Sequence, residues 1–419
     1  MAERGGPSWP GDHSGFTHPE IGVLAFVPDR WSEKWQPRHH ILARLARRFP
    51  IVWVEPPHEW REIPDRLPGG SSEQAPATPP GLRRHRTPWW LPRLYRPASA
   101  VNWMKRRRAA SASKALARRG VEEVVLYLWR PTFGDALDLV PHDLSVYHID
   151  DEYTFSEVET EIPDEERSLI RRSDTVFIHS PGLMERKGRV NPNTVYVPNG
   201  VDFDLYAGKR PEPEDLRSIP HPRVGYTGWL KKQLDWPLLV KLATRHPDWH
   251  LVLVGPVKSH PEIRPYVEEL RGRENVHLLG GKTVTELSAY PGHFDVSVMP
   301  YRKTAYTDCI YPLKLHEYLA AGTPVVGTRI RTLEEFSGVV RLANGADEWS
   351  AQLAAALAED DDGAVDRRRS VARQHDWDRL ADLVAAQFLR GLGREEEAEA
   401  IVPDDPPVLG IPRESGGAA

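Results

Sequence analysis

Short apolar runs alternate with amphipathic stretches along most of the chain. Runs such as Ile21–Val27 and Leu144–Ile149 are dense in Val, Ile and Leu, and the stretches between them repeat apolar residues at helical spacing. This alternation is typical of parallel sheets whose strands are joined by crossover helices. Strands are predicted at Ile21–Val27, Ile51–Glu55, Glu123–Trp129, Leu144–Ile149, Thr175–His179, Arg223–Tyr226, His250–Val254, Val276–Leu279 and Phe294–Met299. Helices are predicted near His39–Arg48, Ala98–Arg119, Glu165–Ser173, Leu234–Arg245, Glu262–Arg271, Val284–Tyr290, Ala346–Leu357 and Trp377–Leu392.

A stretch rich in Pro and charge, Ala207–Pro222, interrupts this pattern and predicts a linker between two alternating halves. The prediction is an α/β fold of two doubly wound sheets that face a central cleft. Its parts are a first domain at 20–206, the linker at 207–222, a second domain at 223–375, a helix at 376–400 that packs back on the first domain, and disordered segments at 1–19 and 401–419. Because ligands bind at the carboxyl ends of strands in such sheets, the cleft is the expected site.

Composition limits where this protein works. The chain has 419 residues, 40% of them hydrophobic, which is enough for two ordinary domains. It has no apolar run long enough to cross a membrane, and the first 19 residues lack the apolar core of a signal peptide. Cys309 is the only cysteine, so an intrachain disulfide is impossible and a cytoplasmic protein is expected. A role for Cys309 as a catalytic thiol is not favoured, because its neighbours resemble no nucleophile motif.

The stretch Tyr311–Val326 predicts a loop, a short helix and a buried strand. Gly322 is placed to end the helix, and Pro324 begins the strand. The N–H groups at the start of the helix favour an anion, and Glu317 lies one turn further in, where it is able to accept hydrogen bonds from sugar hydroxyls. The alternative for Glu317 is a solvated carboxylate that pairs with Lys314. A phosphate site beside a carboxylate suits a nucleotide sugar.

Several motifs along the chain resemble those of retaining GT-B glycosyltransferases. These are Asn191–Asp202, Gly225–Lys232, His250–Pro256, Pro300–Arg302 and the stretch from Tyr311. The N-terminal Trp31…Gln36-Pro-Arg-His-His40, Val54-Glu-Pro-Pro57 and Tyr147–Asp151 resemble a branch that includes teichuronic-acid-type glycosyltransferases. The resemblance implies a GT-B fold with two Rossmann-like domains and a nucleotide sugar as substrate rather than cofactor. It also implies that no catalytic metal is needed, since basic residues and a helix N-terminus act at the diphosphate.

The resemblance assigns donor binding to the second domain. The expected groups are Gly228, Lys231, Lys232, Arg302, Asp308, Lys314 and Glu317. Relatives often carry an Arg where Trp229 stands, and two glutamates eight residues apart, whereas here the earlier position is Cys309 with Asp308 beside it. Acceptor binding is assigned to Trp31, Arg38 and His39, for which helix capping and surface packing are the alternative.

Asp150 and Asp151 follow the strand Leu144–Ile149 and therefore lie at a carboxyl edge facing the cleft. Neighbouring carboxylates raise one another's pKa, which suits proton handling at an acceptor hydroxyl. A helix N-cap or a surface acidic loop is the alternative. Both are candidate catalytic residues, with Asp150 narrowly preferred, and His148 is as compatible with core packing as with catalysis.

From Gln74 to Val121 the chain has no Asp or Glu, although its net charge is −5. Arg and Lys are interleaved there with Trp89, Trp90, Tyr95 and Trp103. Peripheral contact of residues 82–119 with anionic lipid at the inner face of the membrane fits this composition. A solvated helix face is the alternative, and nucleic-acid binding is not favoured because no nucleic-acid fold motif accompanies the stretch.

The expected function is transfer of a sugar from a nucleotide sugar to a hydroxyl acceptor on a surface polysaccharide, a glycolipid or a natural product. The family relation implies that the anomeric configuration is retained. Two alternatives stay open on the same fold: a catalytically silent nucleotide-sugar-binding partner and a nucleotide-sugar 2-epimerase. The sequence leaves the donor base, the sugar, the acceptor and the oligomeric state undetermined.

Overall fold

The computed structural model describes residues 16–59, 77–88, 90–359 and 361–402. Most of the predicted disordered segments at 1–19 and 401–419, most of the Pro-rich stretch 64–80, and Trp89 lie outside the described residues.

The first half of the chain forms one seven-stranded parallel sheet with the order β3-β2-β1-β4-β5-β6-β7. Its strands are β1 Ile21–Phe26, β2 Ile51–Val54, β3 Leu82–His85, β4 Glu123–Leu128, β5 Leu144–Ile149, β6 Thr175–Ile178 and β7 Thr194–Tyr196. Its helices are α1 Pro37–Leu45, α2 Ala98–Ala117, α3 Ala136–Leu139, α4 Asp164–Arg172, α5 Pro181–Lys187 and α6 Phe203–Ala207. The strand order reverses beside β1, so the edge where β1, β4 and β5 end is the expected ligand side.

The second half forms a six-stranded parallel sheet with the order β10-β9-β8-β11-β12-β13. Its strands are β8 Arg223–Thr227, β9 His250–Val254, β10 Val276–Gly280, β11 Val296–Met299, β12 Val325–Thr328 and β13 Arg341–Ala343. The helices are α7 Trp236–Arg245, α8 Arg264–Arg271, α9 Val284–Leu287, α10 Ala305–Cys309, α11 Lys314–Ala321, α12 Arg331–Glu334, α13 Gly345–Leu357 and α14 Asp362–Gln374. Two further helices, α15 Trp377–Gly391 and α16 Glu395–Glu399, follow. The predicted fold class, two doubly wound α/β sheets, is confirmed.

Helix α15 lies against the first sheet although it follows the second in sequence. Phe388 packs its ring 5.3 Å from Tyr127 and 6.1 Å from Phe49, measured between centroids. The return is fixed by backbone hydrogen bonds at Val201, whose N–H donates to His375 O and whose carbonyl accepts from Trp377 N, both at 3.0 Å. The chain therefore crosses between the halves twice, at neighbouring places.

Three short strands, β3, β7 and β13, were not predicted, nor were the helix α14 and several shorter helices such as α5 and α12. All three strands lie at sheet edges, where one side has no partner strand. Edge strands need no continuous apolar run, so β3, with the sequence Leu-Arg-Arg-His, gives no strand signal. The helix predicted near His39–Arg48 instead begins at Pro37 and ends at Leu45.

Helix α11 ends where the sequence predicts. Gly322 has a φ of 84° and follows Ala321, so it forms the left-handed cap that releases the chain toward β12. Pro312 precedes the helix by two residues, which places Lys314 in its first turn.

Candidate functional site

The loop after β8 and the loop after β9 cross at two glycines. Gly228 has a φ of 116° and donates its N–H to Val254 O at 2.8 Å. Gly255 has a φ of 150°, and a Cβ on it would lie 1.9 Å from Gly228 O. A Cβ on Gly228 would lie 3.3 Å from Lys314 Cε, so glycine also leaves room for that side chain. The predicted glycine loop is thus a close backbone crossing that opens space at the strand ends.

Lys314 extends from the start of α11 into this space. Its Nζ donates to Tyr301 Oη at 3.0 Å and lies 5.0 Å from the ring centroid of Tyr226 and 5.6 Å from that of Tyr301. Two aromatic rings therefore fix a cation beside the ends of β8 and β11.

Further lysines face Lys314 from both halves of the molecule. Partial burial in the cleft lowers the pKa of Lys231, and the positive charges of Lys314, Lys258 and Lys34 lower it further.

Lys34 belongs to the loop between β1 and α1, and its Nζ lies 5.8 Å from the ring centroid of Trp229. Its pKa is lowered by the same two causes, partial burial and the charge of Lys314, against the opposing effect of Glu317. Lys34, Lys231 and Lys258 have exposed side chains, so the positive potential is open to a ligand.

Glu317 lies one turn beyond Lys314 and is partly buried. Burial raises the pKa of its carboxyl group, against the opposing effects of Lys314, a hydrogen bond with Tyr206, and Lys34. The carboxylate is therefore held beside the lysines by a residue of α6 rather than being a solvated surface group.

Asp150 and Asp151 have different surroundings. Asp150 is ion-paired with Arg38 and, at 2.5 Å, with Arg130, and it accepts a 3.0 Å hydrogen bond from Tyr153 Oη. Burial alone would raise its pKa, but Arg130 and Arg38 outweigh that effect and lower the pKa below its usual range. Such a carboxylate is a weak proton acceptor, which argues against the narrow preference for Asp150 as the base.

Asp151 has the opposite character. Burial, followed by the charge of Asp150, raises the pKa of Asp151 to about 6. It accepts a 2.8 Å hydrogen bond from Glu152 N and is hydrogen-bonded to Tyr306 of α10 in the second half. Its carboxylate also opposes the pKa lowering of Lys231, so it faces the lysine group across the cleft. Asp150 is thus a fixed anion, whereas Asp151 is a proton acceptor near neutral pH.

The predicted acceptor residues are not free to bind a ligand. Trp31 and His39 are fully buried and pack on one another and on Trp53, with ring centroids 4.6 to 5.6 Å apart. His39 Nδ1 accepts from Gln36 N at 3.1 Å, which caps α1. Arg38 directs its Nε and Nη1 to Asp29 and Asp150. In this conformation the loop folds into the core, as in the helix-capping alternative, so these side chains do not line the cleft, and their acceptor role stays a prediction.

Lys232 and Arg302 lie together but are paired. Lys232 Nζ is 3.1 Å and Arg302 Nη2 is 3.5 Å from the carboxylate of Glu157, which belongs to the first half. Arg302 also contacts Glu262 at 2.7 Å. In this conformation these two predicted donor ligands join the two halves instead of facing the lysine group.

Asp308 is also separate from the lysine group. Its carboxylate accepts from Arg331 N at 3.2 Å at the start of α12, which is a capping role. His148 is buried, stacks on Trp129 with centroids 4.1 Å apart, and has its Nδ1 2.7 Å from Tyr127 Oη, as expected of core packing. Neither residue is brought to the cleft.

Sequence reasoning missed Lys34, Lys258, Tyr206 and Tyr306. Lys34 follows the first strand, which was the available signal, but nothing local shows that its loop meets the second half. Within the described ranges, no group of three or more His, Cys, Asp or Glu side chains is arranged to hold a metal ion.

Two doubly wound parallel sheets with a cationic cleft between their carboxyl edges define the GT-B fold. Residues 221–359, about one third of the chain, match the family model described as Glycosyl transferases group 1. The resemblance to GT-B glycosyltransferases is thereby confirmed.

Known proteins similar to this chain agree. It is 30% identical over 234 residues to the putative teichuronic acid biosynthesis glycosyltransferase TuaH of Bacillus subtilis strain 168, an alignment covering 52% of this chain and 57% of that protein. The chain thus spans little more than half of that relative. Among solved structures, it is similar to sucrose-phosphate synthase from Thermosynechococcus elongatus (TM-score 0.65, 17% identity, 89% of this chain and 99% of that one). It is also similar to Anabaena HepE in complex with UDP (TM-score 0.60, 15% identity, 88% and 100%).

Proposed function

We propose that the protein transfers a sugar from a nucleotide-sugar donor to a hydroxyl group of an acceptor, with a surface polysaccharide, a glycolipid or a natural product as the acceptor class. The observation that carries this proposal is the convergence of Lys34, Lys231 and Lys314 at the carboxyl edges of two sheets. Uncompensated cations in a cleft favour a polyanionic ligand such as a diphosphate. The name of TuaH and the UDP complex of HepE, which is related in fold, support the same chemistry.

The lysines have a defined role in this reaction. As the bond from the sugar to the diphosphate breaks, negative charge grows on the leaving phosphate, and fixed cations stabilise that charge most effectively in a site shielded from water. Lys314 is held by two tyrosine rings and by a hydrogen bond to Tyr301 Oη. Glu317 accepts hydrogen bonds from the nucleotide ribose, as the family resemblance implies. Because these lysines supply the positive charge at the diphosphate, we expect the reaction to need no metal. Full activity in excess EDTA is the expected result.

Asp151 is the acceptor-side group that this reaction uses. Its raised pKa and its place across the cleft from Lys231 suit acceptance of a proton from an acceptor hydroxyl. We keep retention of configuration within the proposal, with the leaving phosphate assisting deprotonation on one face of the sugar. Under retention, Asp151→Asn loses about 10- to 100-fold in rate, at the low end of what general-base catalysis contributes. A loss beyond 10⁴-fold together with an inverted product would contradict retention.

The first experiment is a thermal-shift screen with nucleoside diphosphates and nucleotide sugars. A ligand at 100 times its Kd stabilises the fold by about 2.7 kcal/mol. Nucleotide sugars that bind are then incubated with hydroxyl acceptors and with buffer alone, beside Lys314→Met as a variant with a disabled donor site. Binding without transfer to any acceptor would favour the silent partner, and conversion of the donor without an acceptor would favour the epimerase.

A further inference from the structure

Three large aromatic side chains are exposed on one region of the first half. Trp90 is 51% exposed, Tyr95 is 64% exposed and Trp103 is 48% exposed. Exposed arginines surround them, with the guanidinium of Arg93 5.3 Å from the ring of Tyr95 and that of Arg107 5.3 Å from the ring of Trp103. We call this region the basic aromatic face: Trp90, Arg93, Tyr95, Arg96, Trp103, Arg106 and Arg107.

The structure separates this face from the basic residues that stabilise the fold. Arg84 pairs with Glu55, Lys105 with Asp135, Arg119 donates to the carbonyls of Ile51 and Gly81, and Arg108 donates to Pro92 O. In the described part of the chain, by contrast, no ion pair involves Arg96, Arg106 or Arg107. The basic residues of 82–119 thus fall into two groups: one stabilises the fold through its contacts, and the other forms no ion pair among the described residues.

Helix α2 presents the free part as a continuous stripe. Trp103, Arg106, Arg107, Ala110 and Lys114 recur at spacings of three and four and are all exposed. The opposite face, formed by Ala109, Ala112 and Leu116, is buried in the core of the first half. The stripe is therefore fixed outward by packing.

Topology places this face beside the cleft. The loop 86–97 leaves the carboxyl end of the edge strand β3 and leads into α2, so the first turns of α2 lie at the same sheet edge as Asp150 and Asp151. The contact of Lys105 with Asp135, which follows β4, agrees with this position. A flat surface touching this face would lie next to the cleft opening.

We propose that the basic aromatic face binds the surface of an anionic lipid bilayer. Indole and phenol rings occupy the interface between headgroups and acyl chains, and each nearby arginine is attracted by the negative surface potential. The exposed tryptophans, together with Arg96, Arg106 and Arg107, which form no ion pair among the described residues, satisfy both requirements. The stretch 74–121 has no Asp or Glu, and the acidic Glu59 at this face is paired with Arg93 and accepts a hydrogen bond from Tyr95 Oη. The inference goes beyond the proposed function, because lipid binding needs no turnover. No helix of the described residues is long and apolar enough to cross a membrane, so attachment here means contact with the surface only.

The test is flotation of the full chain with vesicles of phosphatidylcholine containing about one third phosphatidylglycerol. Each arginine near an anionic surface contributes roughly a fivefold increase in partition at low salt. Arg106→Gln/Arg107→Gln is therefore expected to weaken partition about 30-fold, and Trp103→Ala to weaken it even at high salt. The matched control is Arg264→Gln/Arg271→Gln on α8, which removes two exposed arginines elsewhere and leaves partition unchanged.

Two readouts separate the outcomes. Thermal stability and nucleotide binding of the α2 variants are expected to equal those of the unmodified protein, so a failure of lipid binding is distinct from a failure of the proposed function. Equal loss in the α8 control would overturn the proposal, as would absence of vesicle binding at low salt. A gel shift with DNA or RNA oligonucleotides, lost in the α2 variant while vesicles do not bind, would assign the face to nucleic acid instead.

Discussion

The two charged regions of the cleft differ in how completely their charges are paired. Around Asp150, two arginines, a second aspartate and a tyrosine form a closed network in which each charge has an opposite neighbour. Around Lys314, cations from both halves lie close enough to lower the pKa of Lys34 and of Lys231, with Glu317 and Asp151 opposing these shifts. The first region stabilises the fold, and the second is built for a ligand that brings negative charge. Four substitutions test this difference between the two regions.

The largest effect is expected from Asp150→Ala. Removing Asp150 leaves the partly buried Arg130 without its carboxylate and Arg38 with Asp29 alone, and breaking a buried ion pair in this way costs about 3–5 kcal/mol. We expect the melting temperature to fall by roughly 10 °C. Asp135→Ala is the matched control, since its ion pair with Lys105 is exposed and contributes at most about 1 kcal/mol. A drop of equal size in both variants would remove the distinction between the two regions.

Lys314→Met should leave stability almost unchanged and weaken ligand binding. A charge-assisted hydrogen bond to a phosphate contributes about 1.5–3 kcal/mol, so the Kd for a nucleoside diphosphate should rise up to about 100-fold. Calorimetric titration with the diphosphate found in the thermal-shift screen measures the change. Lys209→Met, at an exposed lysine of the stretch 207–222 that precedes the second sheet, serves as the control. Unchanged affinity in Lys314→Met would place the anion elsewhere.

Lys34→Met tests whether the first half contributes to donor binding. Lys34 is more exposed than Lys314 and has no hydrogen bond that fixes its Nζ among the described residues, so a smaller rise in Kd, about fivefold to tenfold, is expected. The effect should shrink at high ionic strength because the group is accessible to solvent. A Kd that is unaffected by this substitution at low salt would assign diphosphate binding to the second half alone.

The smallest effect is a stability change at Asp151. Its folded pKa of about 6 lies above the ordinary aspartate value of 3.8, so the folded state binds a proton more tightly than the unfolded state. The free energy of unfolding contributed by this group is therefore fully present below pH 3.8 and is lost as the pH rises through 6. Asp151→Asn should match the unmodified protein below about pH 3.8 and melt higher at pH 8. A lower melting temperature at pH 8 would contradict the raised pKa.

The interior of each sheet was predictable because its strands are continuous apolar runs. β5 was predicted with the observed bounds, whereas β3 and β13 were missed because an edge strand buries fewer side chains. Gly228, Lys231, Lys314 and Glu317 were assigned to donor binding through the family resemblance, and their places after a strand or at the start of a helix are local features of the sequence.

The ion pairs and contacts of the charged residues could not be predicted, because they depend on which loops the tertiary fold brings together. Arg38 was read as an acceptor ligand, yet its two carboxylate partners lie 9 and 112 residues away in sequence. The approach of Lys34 to Trp229 likewise joins loops that only the tertiary fold brings together. Residue types and local spacing identify the charges available, but the fold decides which of them remain free.

The double crossing at Val201 and His375–Trp377 limits how the cleft can open. The two chain crossings are hydrogen-bonded to each other at one place and therefore act as a hinge with a single axis. One half can swing about that axis, but twisting or sliding across it would break the Val201 hydrogen bonds. Glu157 of the first half forms ion pairs with Lys232 and Arg302 of the second half and so holds the two halves together away from the hinge. The Val201 hydrogen bonds and the Glu157 ion pairs are accordingly among the contacts that any relative movement of the two halves must keep or break.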